Sequence, residues 1–186
     1  MKDLLYDLKK QTFYGFPEYD YFLYMLSILT NAHTIVETGL GRGDSTEIFL
    51  SSLSNLSNPE QRHLYTYEIV LGKSYGVFDK QETVDRVKSK NYPSNWHLIN
   101  QDSTKATYDG SLIDILFLDA DHDYHSVIQE LQAFVSHLNK RAIIMSDDAY
   151  GSNEQQGPDK AFQEFFKGNY ILLKGGKGLA IKQMGE

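Results

Sequence analysis

The chain has 186 residues and a formal net charge of −7, from 18 basic and 25 acidic side chains. Its length fits one domain with a single core, and 41% hydrophobic with 23% charged residues argues against disordered and fibrous classes. The acidic balance would repel a phosphate backbone, so nucleic acid is not an expected partner. The sequence contains no cysteine, which excludes disulfides and thiolate nucleophiles and leaves oxygen and imidazole ligands for any metal.

The first apolar stretch, residues 21–29, is much shorter than the ~20 residues that a membrane helix needs. Acidic residues precede it, whereas a secretory signal begins with basic ones. We therefore predict an N-terminal helical segment, residues 1–32, that packs onto a single domain spanning 1–186. The expected location is the cytoplasm, with no membrane partner.

Short apolar runs alternate with helical patterns along the rest of the chain. The predicted strands are residues 34–37, 63–69, 96–100, 113–118 and 142–146, and the predicted helices are 45–53, 81–88, 127–138 and 158–168. Two further apolar runs, 170–173 and 178–183, flank a Gly-Gly turn and predict a terminal antiparallel hairpin. The alternation predicts an α/β fold with a Rossmann-like, doubly wound, mostly parallel sheet that ends in this hairpin.

A glycine-rich string follows the first predicted strand, with Glu37, Gly39, Gly41 and Gly43 in an ExGxGxG pattern. Glycines let the backbone approach a ligand closely, and the start of a helix offers free amide donors, so we expect a nucleotide-like ligand there. The dinucleotide fingerprint needs a further glycine where this chain has Asp44, a poor neighbour for pyrophosphate. The loop therefore favours a ligand without phosphates, and a tight turn without a ligand is the alternative.

Polar residues also follow the second and third predicted strands. Glu68 lies where α/β nucleotide sites commonly place an acid that accepts from ribose hydroxyls. Asp102 and Ser103 follow the third strand. Because such folds bind ligands at the carboxyl ends of their strands, these three residues are candidate ligand contacts. A solvated acid at the strand end is the alternative for Glu68.

Acidic residues follow the fourth and fifth predicted strands, Asp119 after one and Asp147 with Asp148 after the other. Adjacent strands lie about 4.8 Å apart, so these carboxylates can converge at one edge of the sheet. At ~5 Å and an effective dielectric of about 20, each pair of like charges costs ~3 kcal/mol, which a divalent cation would relieve. Oxygen ligands favour Mg²⁺, Mn²⁺ or Ca²⁺. The alternative to a metal site is that some of these acids cap helices and others face water.

The order of the glycine string, Glu68, Asp102 with Ser103, and the terminal hairpin resembles class I S-adenosylmethionine-dependent methyltransferases over about residues 30–186. The resemblance implies S-adenosylmethionine as the cofactor and a sheet in which strands one and four are neighbours. It places Glu37 and the loop 39–43 at the methionine end, Glu68 at the ribose, and Asp102 and Ser103 at the adenine.

Residues 113–124 together with 145–148 resemble a narrower group, the metal-dependent O-methyltransferases related to macrolide-sugar methyltransferases and cephalosporin-hydroxylase-like proteins. In that group an acid after strand four and an acid pair after strand five bind Mg²⁺, and a histidine shortly after the first acid is the proposed base. The corresponding residues here are Asp119, Asp147 and Asp148 for the metal and His122 for the base.

The resemblance therefore implies O-methylation of a hydroxyl on a small molecule, with S-adenosylmethionine and Mg²⁺ or Mn²⁺ as cofactors. A protein that binds S-adenosylmethionine without turnover is one alternative. An NAD-linked oxidoreductase is another, although Asp44 and the terminal hairpin argue against it. A small hydroxylated acceptor is the expected partner, and self-association into a homo-oligomer stays open.

Overall fold

The computed structural model describes residues 17–69, 74–75, 78–150 and 157–185. In chain order, its helices are α1 (Pro17–Leu29), α2 (Asp44–Ser54), α3 (Lys80–Ser89), α4 (Tyr124–Phe134) and α5 (Gly157–Phe165). Its strands are β1 (Thr34–Thr38), β2 (His63–Tyr67), β3 (Ser74–Tyr75), β4 (Phe78–Asp79), β5 (Asn95–Ile99), β6 (Ile113–Leu118), β7 (Leu138–Ser146), β8 (Ile171–Leu173) and β9 (Leu179–Gln183). Within these ranges no helix combines the length and the apolar character needed to cross a membrane.

The described residues form a central sheet of seven strands in the order β5-β2-β1-β6-β7-β9-β8. The first five of these strands are parallel, and β9 runs antiparallel to both β7 and β8. Successive connections run outward in opposite directions from β1 and β6, which pair with each other and form the switch point of the sheet. The predicted doubly wound sheet with its terminal hairpin is confirmed, and so is the pairing of the first and fourth predicted strands.

The core lies on both faces of the sheet. Ile35 and Val36 are neighbours on β1 but belong to different clusters of buried side chains, because successive residues of a strand point to opposite faces. Helices α1, α2 and α3 cover one face, where α2 contributes Phe49. Helices α4 and α5 cover the other face, where α5 contributes Phe162. Both faces of β1 are therefore buried, as expected for a central parallel strand.

Helix α1 packs against α2 and also reaches the terminal hairpin. The Tyr19 hydroxyl donates to the carbonyl oxygen of Gly175 at 2.5 Å. This contact places the start of α1 beside the turn between β8 and β9. The first sixteen residues of the predicted N-terminal segment lie outside the described residues, and the extent of a single domain over 1–186 stays a prediction.

The structure differs from the predictions at the boundary between α4 and β7 and in an additional pair of short strands. The apolar spacing predicted a helix through Leu138, but α4 ends at Phe134, a 3₁₀ turn covers Val135–His137, and Leu138 begins β7. Leu138 pairs with Ile113 and packs into the same cluster as α4, so its apolar character serves the sheet instead of the helix. The short antiparallel pair of β3 and β4 was not predicted either, because two-residue strands leave no periodic pattern.

Candidate functional site

A cavity of about 590 Å³ opens at the carboxyl ends of β1, β2, β5 and β6, where the switch point of the sheet lies. This is where open α/β sheets bind ligands. The predicted site residues that line the cavity are Gly39, Gly41, Glu68, Asp102, Ser103 and Asp119. Those that do not line it are Glu37, Gly43, His122, Asp147 and Asp148.

The glycine loop has a backbone that other residues could not adopt without strain. Gly39 has φ +84°, and a β-carbon there would lie 2.3 Å from the carbonyl oxygen of Asp119, so the loop is pressed against the end of β6. Gly41 also has positive φ, but a β-carbon at that position would meet nothing within 4 Å. A side chain on Gly41 would therefore occupy open space at the wall of the cavity. Gly43 forms the N-cap of α2.

Glu37 lies beneath the loop and is fully buried. Its Oε1 accepts a hydrogen bond from the Ser45 hydroxyl, and its Oε2 accepts from Thr46 at 2.6 Å and from Thr66 at 3.0 Å. Burial raises the pKa of Glu37 to about 7, although these hydroxyls act in the opposite direction. The carboxylate thus ties β1 to the start of α2 and to β2, and its assignment to the methionine end of a cofactor stays a prediction.

Glu68 lies at the wall of the cavity, directly after β2. Its Oε2 accepts hydrogen bonds from the Leu40 backbone amide at 3.1 Å and from Lys80 Nζ at 2.9 Å. The side chains of Lys80 and Glu68 are only 8% and 7% exposed. Sequence reasoning missed Lys80, because it lies just before the predicted helix 81–88 and no local pattern marks it as buried.

Asp102 and Ser103 form the far wall of the cavity. Asp102 caps the 3₁₀ turn Ser103–Lys105 by accepting from the Thr104 amide at 3.0 Å. Hydrogen bonds from the Thr104 side chain, and then from Lys105, hold the pKa of Asp102 below its ordinary value. The turn is thereby fixed at the end of β5, where Ser103 lines the cavity.

Glu130 is a second residue of the cavity wall that sequence reasoning missed. It lies on α4, is completely buried, and its Oε1 accepts from the Ser103 hydroxyl at 2.6 Å. Burial raises its pKa to about 7, with the Ser103 and Thr38 hydroxyls acting against that rise. A signal was present in the sequence, because Glu130 interrupts the apolar face that Val127 and Leu131 define.

The structure brings His122 between two of the predicted metal ligands. His122 Nε2 lies 3.8 Å from Asp119 Oδ1 and 3.7 Å from Asp148 Oδ2. The pKa of Asp119 is raised well above its ordinary value by burial first and then by the charges of Asp147, Glu37 and Asp148. Burial and the charge of Asp148 likewise raise the pKa of Asp147. These side chains therefore form one electrostatic unit, which we call the acidic cluster: Asp119, Asp147 and Asp148, with His122.

Lys177 is a cation at the edge of the acidic cluster that was not predicted. Its Nζ donates to Asp148 Oδ2 at 3.0 Å, and this contact raises the pKa of Lys177. The Ala149 amide donates to the Gly178 carbonyl at 3.1 Å, which fixes the hairpin turn beside Asp148. Within the part of the chain that the structure describes, Asp148 Oδ1 is buried without a hydrogen-bond partner, and no three acidic or histidine side chains are arranged to hold a metal ion.

Comparison with known proteins places the chain among methyltransferases. A family model described as a methyltransferase domain matches residues 36–149, whereas no curated protein sequence matches. The apo structure of CalS11, a TDP-rhamnose 3'-O-methyltransferase of calicheamicin biosynthesis, superposes with a TM-score of 0.69 at 16% identity, covering 100% of this chain and 82% of that one.

Two further solved structures are similar. One is the methyltransferase PaMTH1 of Podospora anserina, bound to S-adenosylhomocysteine, with a TM-score of 0.69 at 15% identity. The match covers 92% of this chain and 80% of PaMTH1. A methyltransferase from Geobacter sulfurreducens has a TM-score of 0.63 at 16% identity, with 91% and 79% covered. At such low identity these likenesses establish a common fold.

Proposed function

Because the chain belongs to the methyltransferase-domain family, we propose that it transfers the methyl group of S-adenosylmethionine to a hydroxyl of a small molecule, with a divalent cation at the acidic cluster. The class I fold predicted from the sequence is confirmed. The observation that carries the proposal is the cavity at the switch point of the sheet. Glu68 and Gly41 both line this cavity, and the space around Gly41 is open.

The cavity fits the cofactor in size and chemistry. Its volume of about 590 Å³ lies within the ~300–1,000 Å³ typical of small-molecule sites. We assign the ribose to Glu68, whose carboxylate can accept from both hydroxyls, and the adenine to Asp102 and Ser103. The methionine end would then lie towards the glycine loop and Glu37. Carboxylates at the cavity wall favour the positive charge of the sulfonium.

The acidic cluster fits a divalent cation in its donor chemistry. Its three carboxylates supply the hard oxygen ligands that Mg²⁺ and Mn²⁺ prefer. Lys177 engages only Oδ2 of Asp148, while Oδ1 is buried without a partner among the described residues, as expected of an atom that a ligand would satisfy. We therefore propose Asp119, Asp147 and Asp148 as the metal ligands, whose carboxylates would have to draw closer together than they stand here to hold the ion. When bound, such an ion would lower the pKa of a nearby acceptor hydroxyl.

Binding of Mn²⁺ tests this metal assignment without any acceptor. Asp148→Asn should weaken Mn²⁺ binding at least tenfold, because it removes one charged ligand, while S-adenosylhomocysteine affinity stays within about threefold. Asp85→Asn, on the exposed side of α3, is the matched control and should change neither affinity. Mn²⁺ is titrated by its paramagnetic effect on water relaxation. Equal Mn²⁺ affinity in the wild type and Asp148→Asn would reject the site.

His122 is the residue that we assign as general base. In the proposed reaction, the acceptor oxygen attacks the methyl carbon as the carbon–sulfur bond breaks, and the hydroxyl proton passes to His122 Nε2. The products are a methyl ether and S-adenosylhomocysteine. Asp119 and Asp148 lie close enough to Nε2 to stabilise the imidazolium that forms.

A binding protein without turnover is the second candidate, and one observation favours it. The ammonium of Lys177 already compensates Asp148, so the acidic cluster can be stable without a metal. The NAD-linked alternative gains nothing from the structure, because Asp44 stands in the first turn of α2, where a pyrophosphate would have to lie.

Turnover separates the two candidates. The purified chain is incubated with S-adenosylmethionine and Mg²⁺ or Mn²⁺, and release of S-adenosylhomocysteine is measured over a panel of sugars, catechols and other small hydroxylated acceptors. We expect acceptor-dependent release that a chelator suppresses. Cofactor binding without release on any acceptor would favour the non-catalytic protein, and release that a chelator leaves unchanged would remove the metal from the proposal.

A further inference from the structure

Lys80 is a buried lysine in the wall of the cavity. It is the first residue of α3, and its side chain is 8% exposed. Its Nζ donates to Glu68 Oε2 at 2.9 Å and to the Gly41 carbonyl oxygen at 3.3 Å. A buried ammonium is tolerated only where such partners replace its water, so these contacts fix where the side chain lies.

Two separate segments of the chain meet at the Glu68 carboxylate. Its Oε2 takes one hydrogen bond from the Leu40 amide in the glycine loop and another from Lys80 at the start of α3. Lys80 also holds the next residue of the loop through Gly41. The lysine therefore links the glycine loop to the acid after β2, and both line the cavity in which we place the ribose.

We propose that Lys80 is a positioning residue for cofactor binding: its ammonium holds the Glu68 carboxylate and the glycine loop in the orientation that receives the ribose. The inference rests on the proposed role of Glu68. It adds a residue that acts through another, because the ribose is recognised by the carboxylate and not by the lysine itself.

The ion pair is expected to persist when the cofactor is bound. A neutral ribose hydroxyl cannot replace an ammonium beside a carboxylate that is 7% exposed, and a displaced Lys80 would leave two buried charges unpaired. A carboxylate can accept several hydrogen bonds at once, so Lys80 and a ribose hydroxyl can share the Glu68 carboxylate. Lys80 thus fixes the geometry of the acceptor group before the cofactor arrives, which lowers the cost of ordering it on binding.

A double-mutant cycle on the full chain tests the proposal, with S-adenosylhomocysteine as the probe in titration calorimetry. Lys80→Met should weaken its binding roughly tenfold or more, because Glu68 loses a charge-assisted partner that orients it. In the Glu68→Gln background the same substitution should change affinity less than about threefold, since there is no carboxylate left to position. Lys80→Arg keeps the charge and should recover most of the affinity.

Controls separate positioning from general stability. Lys88→Met lies on the exposed last turn of the same helix and should leave affinity unchanged. Thermal melting establishes that each variant is folded, and Lys80→Gln, which keeps a polar group, takes the place of Lys80→Met if that variant does not fold.

Three outcomes would overturn the inference. If the neutral variant binds within threefold of the wild type, or loses the same factor with and without Glu68, Lys80 does not act through the carboxylate. If the wild type itself does not bind S-adenosylhomocysteine, the proposed function fails first and the inference fails with it, so the two failures are distinguishable.

Discussion

Replacing Glu37 by glutamine should flatten the pH dependence of stability, because this carboxyl group is buried in a place where its charge is costly. It is 0% exposed, and burial raises its pKa from 4.5 to about 7. Hydroxyls of Ser45, Thr46 and Thr66 surround it. Hydroxyls can donate or accept, so glutamine can keep these contacts with nearly the same shape and no charge.

The size of the effect follows from the pKa difference between the folded and unfolded chain. Each pKa unit is worth about 1.4 kcal/mol, so the rise at Glu37 corresponds to roughly 3 kcal/mol. Between pH 4.5 and 7 the folded chain binds more protons at this group than the unfolded chain, so stability falls as the pH rises. The wild type therefore has the roughly 3 kcal/mol contribution of Glu37 to its free energy of unfolding below about pH 4.5, and loses it as the pH rises through about 7.

Denaturant unfolding of the wild type and Glu37→Gln from pH 5 to pH 8 measures the effect. The variant should gain about 2–3 kcal/mol over the wild type across this range. Burial also raises the pKa of Glu130 and Asp20, but both groups are present in both proteins and cancel in the difference. Glu60→Gln, on the surface, is the matched control and should show no gain. Parallel stability curves for the wild type and Glu37→Gln would refute the reasoning.

Three further predictions concern the glycine loop and the site. Gly39→Ala should lower the free energy of unfolding by more than ~2 kcal/mol, because it combines a left-handed backbone with a clash at Asp119. Gly41→Ala should lower it only by the ~1–2 kcal/mol that the left-handed backbone costs. Denaturant unfolding compares the two variants, and equal losses would contradict the close contact between Gly39 and Asp119. Glu68→Ala should weaken S-adenosylmethionine binding roughly ten- to a hundredfold in calorimetry, and an unchanged affinity in the folded variant would remove Glu68 from the ribose. His122→Ala should lower turnover about 10²–10⁴-fold with S-adenosylhomocysteine affinity kept, and turnover within threefold of the wild type would mean that another group takes the proton.

The sequence was sufficient to predict the sheet, because its central strands are buried on both faces and therefore appear as short apolar runs. All five residues of β1 are buried, and the glycines that follow it mark the turn at the switch point. Boundaries were less predictable where one residue fits two elements. Leu138 continues the apolar spacing of α4 and also begins β7. Only its pairing with Ile113 in the folded chain shows that Leu138 belongs to the strand.

The candidate site was predictable where its residues follow strands. Parallel strands bring their carboxyl ends to one edge, which is why the sequence alone groups Glu68, Asp102 and Asp119. It does not group Lys80 and Lys177 with them, because each reaches the site from a helix start or a hairpin turn whose direction no local pattern encodes. Glu130 was predictable only in part. A glutamate within an apolar helix face indicates a buried carboxyl group, but the sequence does not show that Ser103 is its hydrogen-bond partner.

A crystal structure of the chain grown with S-adenosylhomocysteine tests the proposed cofactor site most directly. We expect the ligand in the cavity at the switch point, with a ribose hydroxyl oxygen within about 3.2 Å of a Glu68 carboxylate oxygen and the adenine beside Ser103. A ligand bound elsewhere, or in the cavity with its ribose away from Glu68, would contradict the central claim.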